Sequence, residues 1–218
     1  METIIIPALN EAGRIELTLT KIFHYLKNKP DFEVIVVDND SVDSTREVAM
    51  KFPVSLLECR TRGKALAMKA GATAAKGDIL IFIDGDDTYE PDIIPHMIFE
   101  LRKNHTRLVR ANRFQSTQLS MSPLRRLGNR VISRFASSYF QVASTDVLSG
   151  FFGISKKDFL ALNLSSTHFE IETEIYKKTT QLQWSTKDLP VAYSGRRSSN
   201  LKPFKDGWKI IKSILATS

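Results

Sequence analysis

Three short apolar runs, residues 3–6, 32–37 and 79–83, decide what this chain can fold into. Each is too short for a helix and rich in Ile and Val, so each reads as a strand buried on both faces. Each also stops abruptly in polar residues. The first ends in Pro7-Ala8-Leu9-Asn10-Glu11, the second in Asp38-Asn39-Asp40-Ser41-Val42-Asp43, and the third in Asp84-Gly85-Asp86-Asp87-Thr88. In open α/β sheets ligands bind beyond such strand ends. The polar ends are therefore expected side by side on one edge.

Helical patterns separate the runs. Ile15, Leu19, Ile22, Phe23 and Leu26 recur at helical spacing, with Asn10 or a neighbour as a candidate start. A helix capped by Asp43 or Ser44 and ending near Met50 follows the second run. A short strand at 54–57 and an alanine-rich helix at 65–75, stopped by Gly77, precede the third. Alternating strands and helices predict a mostly parallel sheet with crossover helices. Beyond Pro91 the pattern continues with a helix at 92–103 and a strand at 107–110. Residues 146–154 read as a loop feeding a strand, 169–180 as a helix and 189–193 as a last strand. One α/β domain over residues 1–218 is the economical count.

Composition narrows the function. The single cysteine, Cys59, permits neither a disulfide framework nor a Cys-based metal site, and the four histidines show no ligand spacing. No run of about 18 uncharged apolar residues offers a membrane span, and the start of the chain does not read as a signal peptide. A net charge of +7 calls for an anionic partner. Basic residues concentrate late. Leu124, Leu127, Val131 and Phe135 form one helical stripe flanked by Arg125, Arg126, Arg130 and Arg134. Phe204, Trp208, Ile211 and Leu215 form another, among lysines. Such helices either pack on the core or lie in a membrane interface. Aromatic and basic residues do not interleave on a strand face, which argues against a single-strand nucleic-acid binder.

The cluster at Asp84 suits a hard cation, since Mg²⁺ takes one or two carboxylates and completes its shell with water and phosphate oxygens. Two other readings stay open on the residues alone. A solvated acidic turn would also end a strand this way. Asp84-Gly85-Asp86-Asp87-Thr88 further matches the Asp-x-Asp-x-Thr of haloacid dehalogenase-like phosphatases, in which the first Asp is a nucleophile. That motif normally follows the first strand, whereas here at least two strands precede it.

Five segments in order resemble family 2 inverting glycosyltransferases of the GT-A fold, in the branch of dolichyl-phosphate mannose synthase and polyprenyl-phosphate hexosyltransferases. They are Ile6-Pro7-Ala8-Leu9-Asn10-Glu11, Val37 to Thr45, Gly63-Lys64-Ala65 through Asp84-Gly85-Asp86, Asp146-Val147-Leu148-Ser149-Gly150-Phe151, and Phe169-Glu170-Ile171-Glu172 through Pro203-Phe204-Lys205-Asp206-Gly207. The resemblance implies a GT-A (Rossmann-like) sheet with a nucleotide-sugar half at 1–112 and an acceptor half at 113–218. It implies that Pro7, Ala8, Asn10, Glu11, Asp38, Asp40, Lys64 and Gly85 border the nucleotide sugar, and that Asp84 and Asp86 hold Mg²⁺ or Mn²⁺. Arg113 matches an arginine near the sugar and acceptor phosphate, and Arg196 one on a loop that closes over the donor. Arg125, Arg126, Ser149 and Lys202 are further candidates for the acceptor phosphate. Three positions depart from the family pattern: Thr88 where Gln is frequent, Phe152 where Arg often follows, and Asn200 where Lys does.

The implied reaction is transfer of a hexosyl group from GDP-mannose, UDP-glucose or UDP-N-acetylglucosamine to dolichyl or polyprenyl phosphate. Its implied setting is the cytoplasmic face of a membrane, with peripheral contact and a membrane-anchoring partner subunit as an option. The acceptor oxygen is already anionic at neutral pH, so no general base is needed. Alternatives are a family 2 enzyme with a non-lipid acceptor, the phosphatase, and a non-catalytic membrane-surface module.

Overall fold

The computed structural model describes residues 1–29, 31–103, 105–121, 123–140 and 146–195. The elements follow in chain order. They are β1 (Glu2–Ala8), α1 (Ile15–Leu26), β2 (Phe32–Asp38), α2 (Thr45–Ala49), β3 (Ser55–Glu58), α3 (Lys64–Ala74) and β4 (Ile79–Phe82), then α4 (Ile94–Arg102), β5 (Leu108–Asn112) and β6 (Leu119–Ser120). Next come α5 (Pro123–Phe140), β7 (Phe152–Ser155), α6 (Lys156–Ala161), α7 (Ile171–Gln181), β8 (Thr186–Pro190) and β9 (Tyr193–Ser194).

Seven strands form one sheet in the order β3-β2-β1-β4-β7-β5-β8, and β6 pairs with β9 apart from it. All pairings in the large sheet are parallel except those of β7, which runs antiparallel between β4 and β5. The apolar runs are continuous because each strand feeds two cores. Ile4, Ile6, Val34, Val36 and Ile81 face α1 and α4, packing with Ile15, Leu19, Ile22, Ile94 and Met97. Ile5, Ile35, Val37, Leu80 and Phe82 face the other way, against Ala65, Met68, Phe159, Ile171 and Ile175 of α3, α6 and α7.

Register sets the working edge. Ala8 lies opposite Asp38, and Ile5 opposite Phe82, so β2, β1 and β4 deliver their polar ends side by side as expected. Two expectations need correction, and one helix was not foreseen. Helix α1 starts at Ile15, not near Asn10, because Glu11 O accepts from both Arg14 N and Ile15 N and opens the helix there. The expected last strand at 189–193 is two strands: β8 ends at Pro190, and Tyr193 crosses to β6 in the second sheet. Helix α6, which the hydrophobic pattern does not announce, is capped by Ser155, whose hydroxyl accepts from Asp158 N at 3.0 Å. The closing helix expected at 204–215 lies outside the described residues.

Candidate active site

The three strand ends turn by the same device. Asn10, Asp40 and Asp87 all take positive φ (56°, 66° and 56°), a region that Asn and Asp tolerate better than other side-chain-bearing residues. Asn10 and Asp40 are thus turn formers. Asn10 N donates to Ser41 Oγ at 3.0 Å, and Asn10 Oδ1 accepts from Val42 N at 2.9 Å, stitching the first turn to the second. Asp40 Oδ2 accepts from Arg62 Nε at 2.9 Å. Glu11 N donates to Thr45 Oγ1 at 2.8 Å and Ala12 N to Asp43 Oδ2 at 3.1 Å. Burial pushes the Asp43 carboxyl up, but hydrogen bonds from Thr45 and Ala12 outweigh it and hold the group below its ordinary range.

Pro7 and Ala8 form the end of β1, and Ala8 O accepts from Asn39 N at 2.8 Å. Beside them Asp38 is buried at the tip of β2. Its Oδ2 accepts from Ser41 N at 3.3 Å, while its buried Oδ1 has no hydrogen-bond partner among the described residues. A buried acceptor left so is costly.

Asn39 then positions the next element. Its Nδ2 donates to Cys59 O and Thr61 O, and its Oδ1 accepts from Gly63 N at 2.7 Å, fixing where α3 begins. Gly63 is required twice over. Its φ is +155°, and a Cβ there would run into the carbonyl of Thr167. The first residue of α3 is Lys64. Its Nζ lies 2.6 Å from Asp84 Oδ1 and 2.6 Å from Glu172 Oε1 of α7. Burial disfavours the charged ammonium, but the two carboxylates more than compensate and hold its pKa above the usual lysine value. Burial pushes Glu172 up, with Lys64 opposing and Asp84 reinforcing. The loop at 162–170 covers this pair. Lys69 donates to Leu164 O and Ser166 O, Lys178 to Leu162 O and Asn163 O, and Glu174 accepts from Ser165 N and Ser166 N. From the other side Gly150 presses in, where a Cβ would lie 2.5 Å from Asp84 Oδ2 and 2.7 Å from Lys64 Nζ.

Past Asp84, Gly85 is buried against Ile6 and Ile15. Asp86 Oδ1 accepts from Thr88 Oγ1 at 2.6 Å and Thr88 N at 3.2 Å, so Thr88 orients this carboxylate. Asp87 turns away. Its Oδ1 meets Lys21 Nζ at 2.9 Å, and its backbone N–H is held by Thr18. The acidic cluster therefore divides into two aspartates at the strand tip and one tied to α1. No group of three or more His, Cys, Asp or Glu side chains with metal-binding geometry occurs among the described residues. A carboxylate pair of hard oxygens, each steadied by a neighbour, fits Mg²⁺ or Mn²⁺ completing its shell with diphosphate and water.

Arg113, expected near the sugar and acceptor phosphate, is buried. Its Nε and NH2 bind Asp146 at 2.8 and 2.6 Å, and its guanidinium lies 5.2 Å from the Tyr193 ring centre and 6.0 Å from that of Tyr89. Burial opposes its charge, yet Asp146 secures it. Ser149 is also buried, its Oγ 3.4 Å from Tyr89 Oη, which in turn accepts from Gly150 N at 3.1 Å. Arg113 and Ser149 thus belong to one packed cluster that joins the residues after Asp86 to the 146–151 loop. Arg126 is half-buried on α5, and the side chain of Arg125 lies outside the described set. Arg196 and Lys202 lie outside the described residues altogether. On α5, Leu127, Val131 and Phe135 are exposed, at 61%, 59% and 40%, with Arg130 and Arg134 exposed beside them. No helix among the described residues is long and apolar enough to cross a membrane.

Residues 3–162 match the family model described as glycosyl transferase family 2. This chain belongs to that family. Among curated relatives, the low-salt glycan biosynthesis hexosyltransferase Agl6 of Haloferax volcanii is 24% identical over 99% of this chain and 53% of its own length. The dolichol-phosphate mannosyltransferase of Pyrococcus furiosus is 30% identical over 81% of this chain and 52% of its own. The chain thus spans about half the length of these two relatives. Glucosyl-3-phosphoglycerate synthase of Mycobacterium tuberculosis, solved with Mn²⁺, UDP and glucosyl-3-phosphoglycerate, superposes with a TM-score of 0.74. That match has 19% identity and covers 99% of this chain and 79% of the other. It shows the fold, a GT-A sheet. Family membership sets the phosphatase reading aside, and so does the topology: β4, which the acids follow, is the fourth strand in sequence and not the first.

Sequence reasoning missed Glu172 as a site residue, along with Asn39, Tyr89 and Asp146. Glu170, Glu172 and Glu174 alternate at the start of α7, and only packing tells which one turns to Lys64.

Proposed function

We propose that this family 2 glycosyltransferase transfers a hexosyl group from a nucleotide sugar to dolichyl or another polyprenyl phosphate, using Mg²⁺ or Mn²⁺ at the cytoplasmic face of a membrane. The observation that carries the reading is the shared edge of the sheet, where Asp84 and Asp86 after β4 and the unsatisfied Asp38 carboxylate oxygen at the end of β2 flank the end of β1. Asp38 Oδ1 accepts from the nucleoside, bordered by Pro7, Ala8 and Glu11, with Asn10 and Asp40 shaping the turns. Asp84 and Asp86 hold the metal, which supplies positive charge to the diphosphate leaving group. Arg113, buried and kept charged by Asp146, supports the 146–151 side of the site from behind. Arg125, Arg126 and Lys202 hold the acceptor phosphate, and Arg196 adds charge at the donor. The acceptor phosphate attacks without a general base, consistent with four histidines that show no ligand spacing.

A lipid acceptor is supported by the naming of several relatives as dolichyl-phosphate sugar transferases and by the exposed apolar stripe of α5, flanked by arginines. A second reading, a small phosphorylated acceptor, is favoured by the structural likeness to a synthase that acts on phosphoglyceric acid. The test is release of nucleoside diphosphate from a panel of GDP- and UDP-sugars with Mn²⁺, with and without dolichyl phosphate. Lipid-dependent release from one donor supports the proposal; release indifferent to the lipid contradicts it.

A further inference from the structure

The buried trio Lys64, Asp84 and Glu172 has a charge balance that bears on the metal. One ammonium lies 2.6 Å from each of two carboxylates contributed by β4's tip and by α7. If Asp84 were the lysine's sole partner, the pair would be neutral, and Asp84 would be a poor ligand for a cation. With Glu172 as a second partner the trio carries one net negative charge. Asp84 alone has the outlet for it: its side chain is 26% exposed, that of Glu172 only 7%.

We infer that Glu172 is a positioning residue for the metal site, neutralising Lys64 so that Asp84 keeps both its place and its charge toward a divalent cation. This rests on the metal-dependent reading above. Glu172 has no contact with the cation and acts through Lys64. Its helix is well placed for the task. Glu174, two residues on, pins the 165–166 loop, Gly63 abuts Thr167, and the Phe169 ring centre lies 5.9 Å from Lys64 Nζ. The lysine side chain is accordingly enclosed, only 12% exposed between the two acids. Outer partners of metal ligands typically set affinity by roughly 10- to 100-fold.

The charge balance makes a prediction that plain structural support does not. Glu172→Gln keeps the shape but leaves Lys64 to neutralise Asp84, so Mn²⁺ binding should weaken by roughly 10- to 100-fold. Lys64→Met combined with Glu172→Gln returns the net charge to one negative, and Mn²⁺ binding should recover to within about threefold of the parent, since replacing a whole buried ion-pair group is tolerated far better than breaking it. Mn²⁺ binding is read by the electron paramagnetic resonance signal of the free ion, in parallel series with UDP and GDP. Thermal melting without metal checks that each protein is folded. Weak binding in the single variant and recovery in the double supports the inference. Parental binding in Glu172→Gln, or no recovery in a folded double variant, overturns it. If the parent itself binds no Mn²⁺ with either nucleotide, the metal-dependent reading falls and this inference with it.

Discussion

At the scale of single residues, two positions around the site are specified by what surrounds them. Gly150 lies where any Cβ would meet Asp84 Oδ2 at 2.5 Å and Lys64 Nζ at 2.7 Å. Gly150→Ala must move one of them, at a cost of about 1–3 kcal/mol for overpacking. A displaced carboxylate should also lower transfer by roughly 100-fold. Urea melts and initial rates check the two effects. Glu174 offers a pH test. Burial raises its carboxyl, but hydrogen bonds from Ser165 and Ser166 outweigh burial and bring it down to about 2. A folded pKa below the unfolded value near 4.3 contributes stability that is complete above that pH and is lost as pH falls toward 2. Glu174→Gln should therefore flatten the acid limb of stability between those values, measured by urea melts at several pH values. Glu100, drawn down to about 2 by hydrogen bonds from Lys187 and Lys103, titrates in the same window, so its share persists in the variant.

At the scale of elements, what the sequence reveals depends on whether a pattern is local. Strands β1, β2 and β4 were legible because continuous Ile and Val runs state that both faces are buried, and the polar residues after them state where the edge is. The place of Asp84 and Asp86 at the end of a strand was legible for the same reason. The split of the last strand into β8 and β9 was signalled only by Pro190, which ends β8. The break comes from Tyr193 pairing with Leu119, a contact over more than seventy residues. Glu172 was hidden by the same kind of distance: its partner Lys64 is on another helix. The burial of Arg113 was hidden too, since its partner Asp146 lies beyond a helix of eighteen residues. Helix α5 is the element whose surface remains to be explained. Leu127, Val131 and Phe135 are exposed at i, i+4 and i+8, with arginines alongside. Under the lipid reading, Val131→Asp with Phe135→Asp should reduce co-sedimentation with anionic vesicles by at least about tenfold, from loss of two apolar anchors and gain of like charge. Binding of the parent should weaken as salt rises.

At the scale of the molecule, one sheet does two jobs. Its parallel strands β2, β1 and β4 present the polar edge proposed for the donor, and the antiparallel β7 brings the 146–151 loop back against Asp84. The strand ends and the 146–151 loop thus meet at Asp84. Asp86→Ala should abolish transfer while leaving the melting temperature nearly unchanged, because the bonds its carboxylate accepts from Thr88 are local, two residues apart, and the Arg14 bond is to its backbone carbonyl. The central claim concerns the acceptor, and partitioning of label tests it most directly. Dolichyl phosphate and 3-phosphoglycerate are offered together with Mn²⁺ and a radiolabelled nucleotide sugar, and the mixture is extracted with organic solvent. The account predicts label in the organic phase, absent with Asp86→Ala or with chelator. Label that stays with the aqueous acceptor would contradict it.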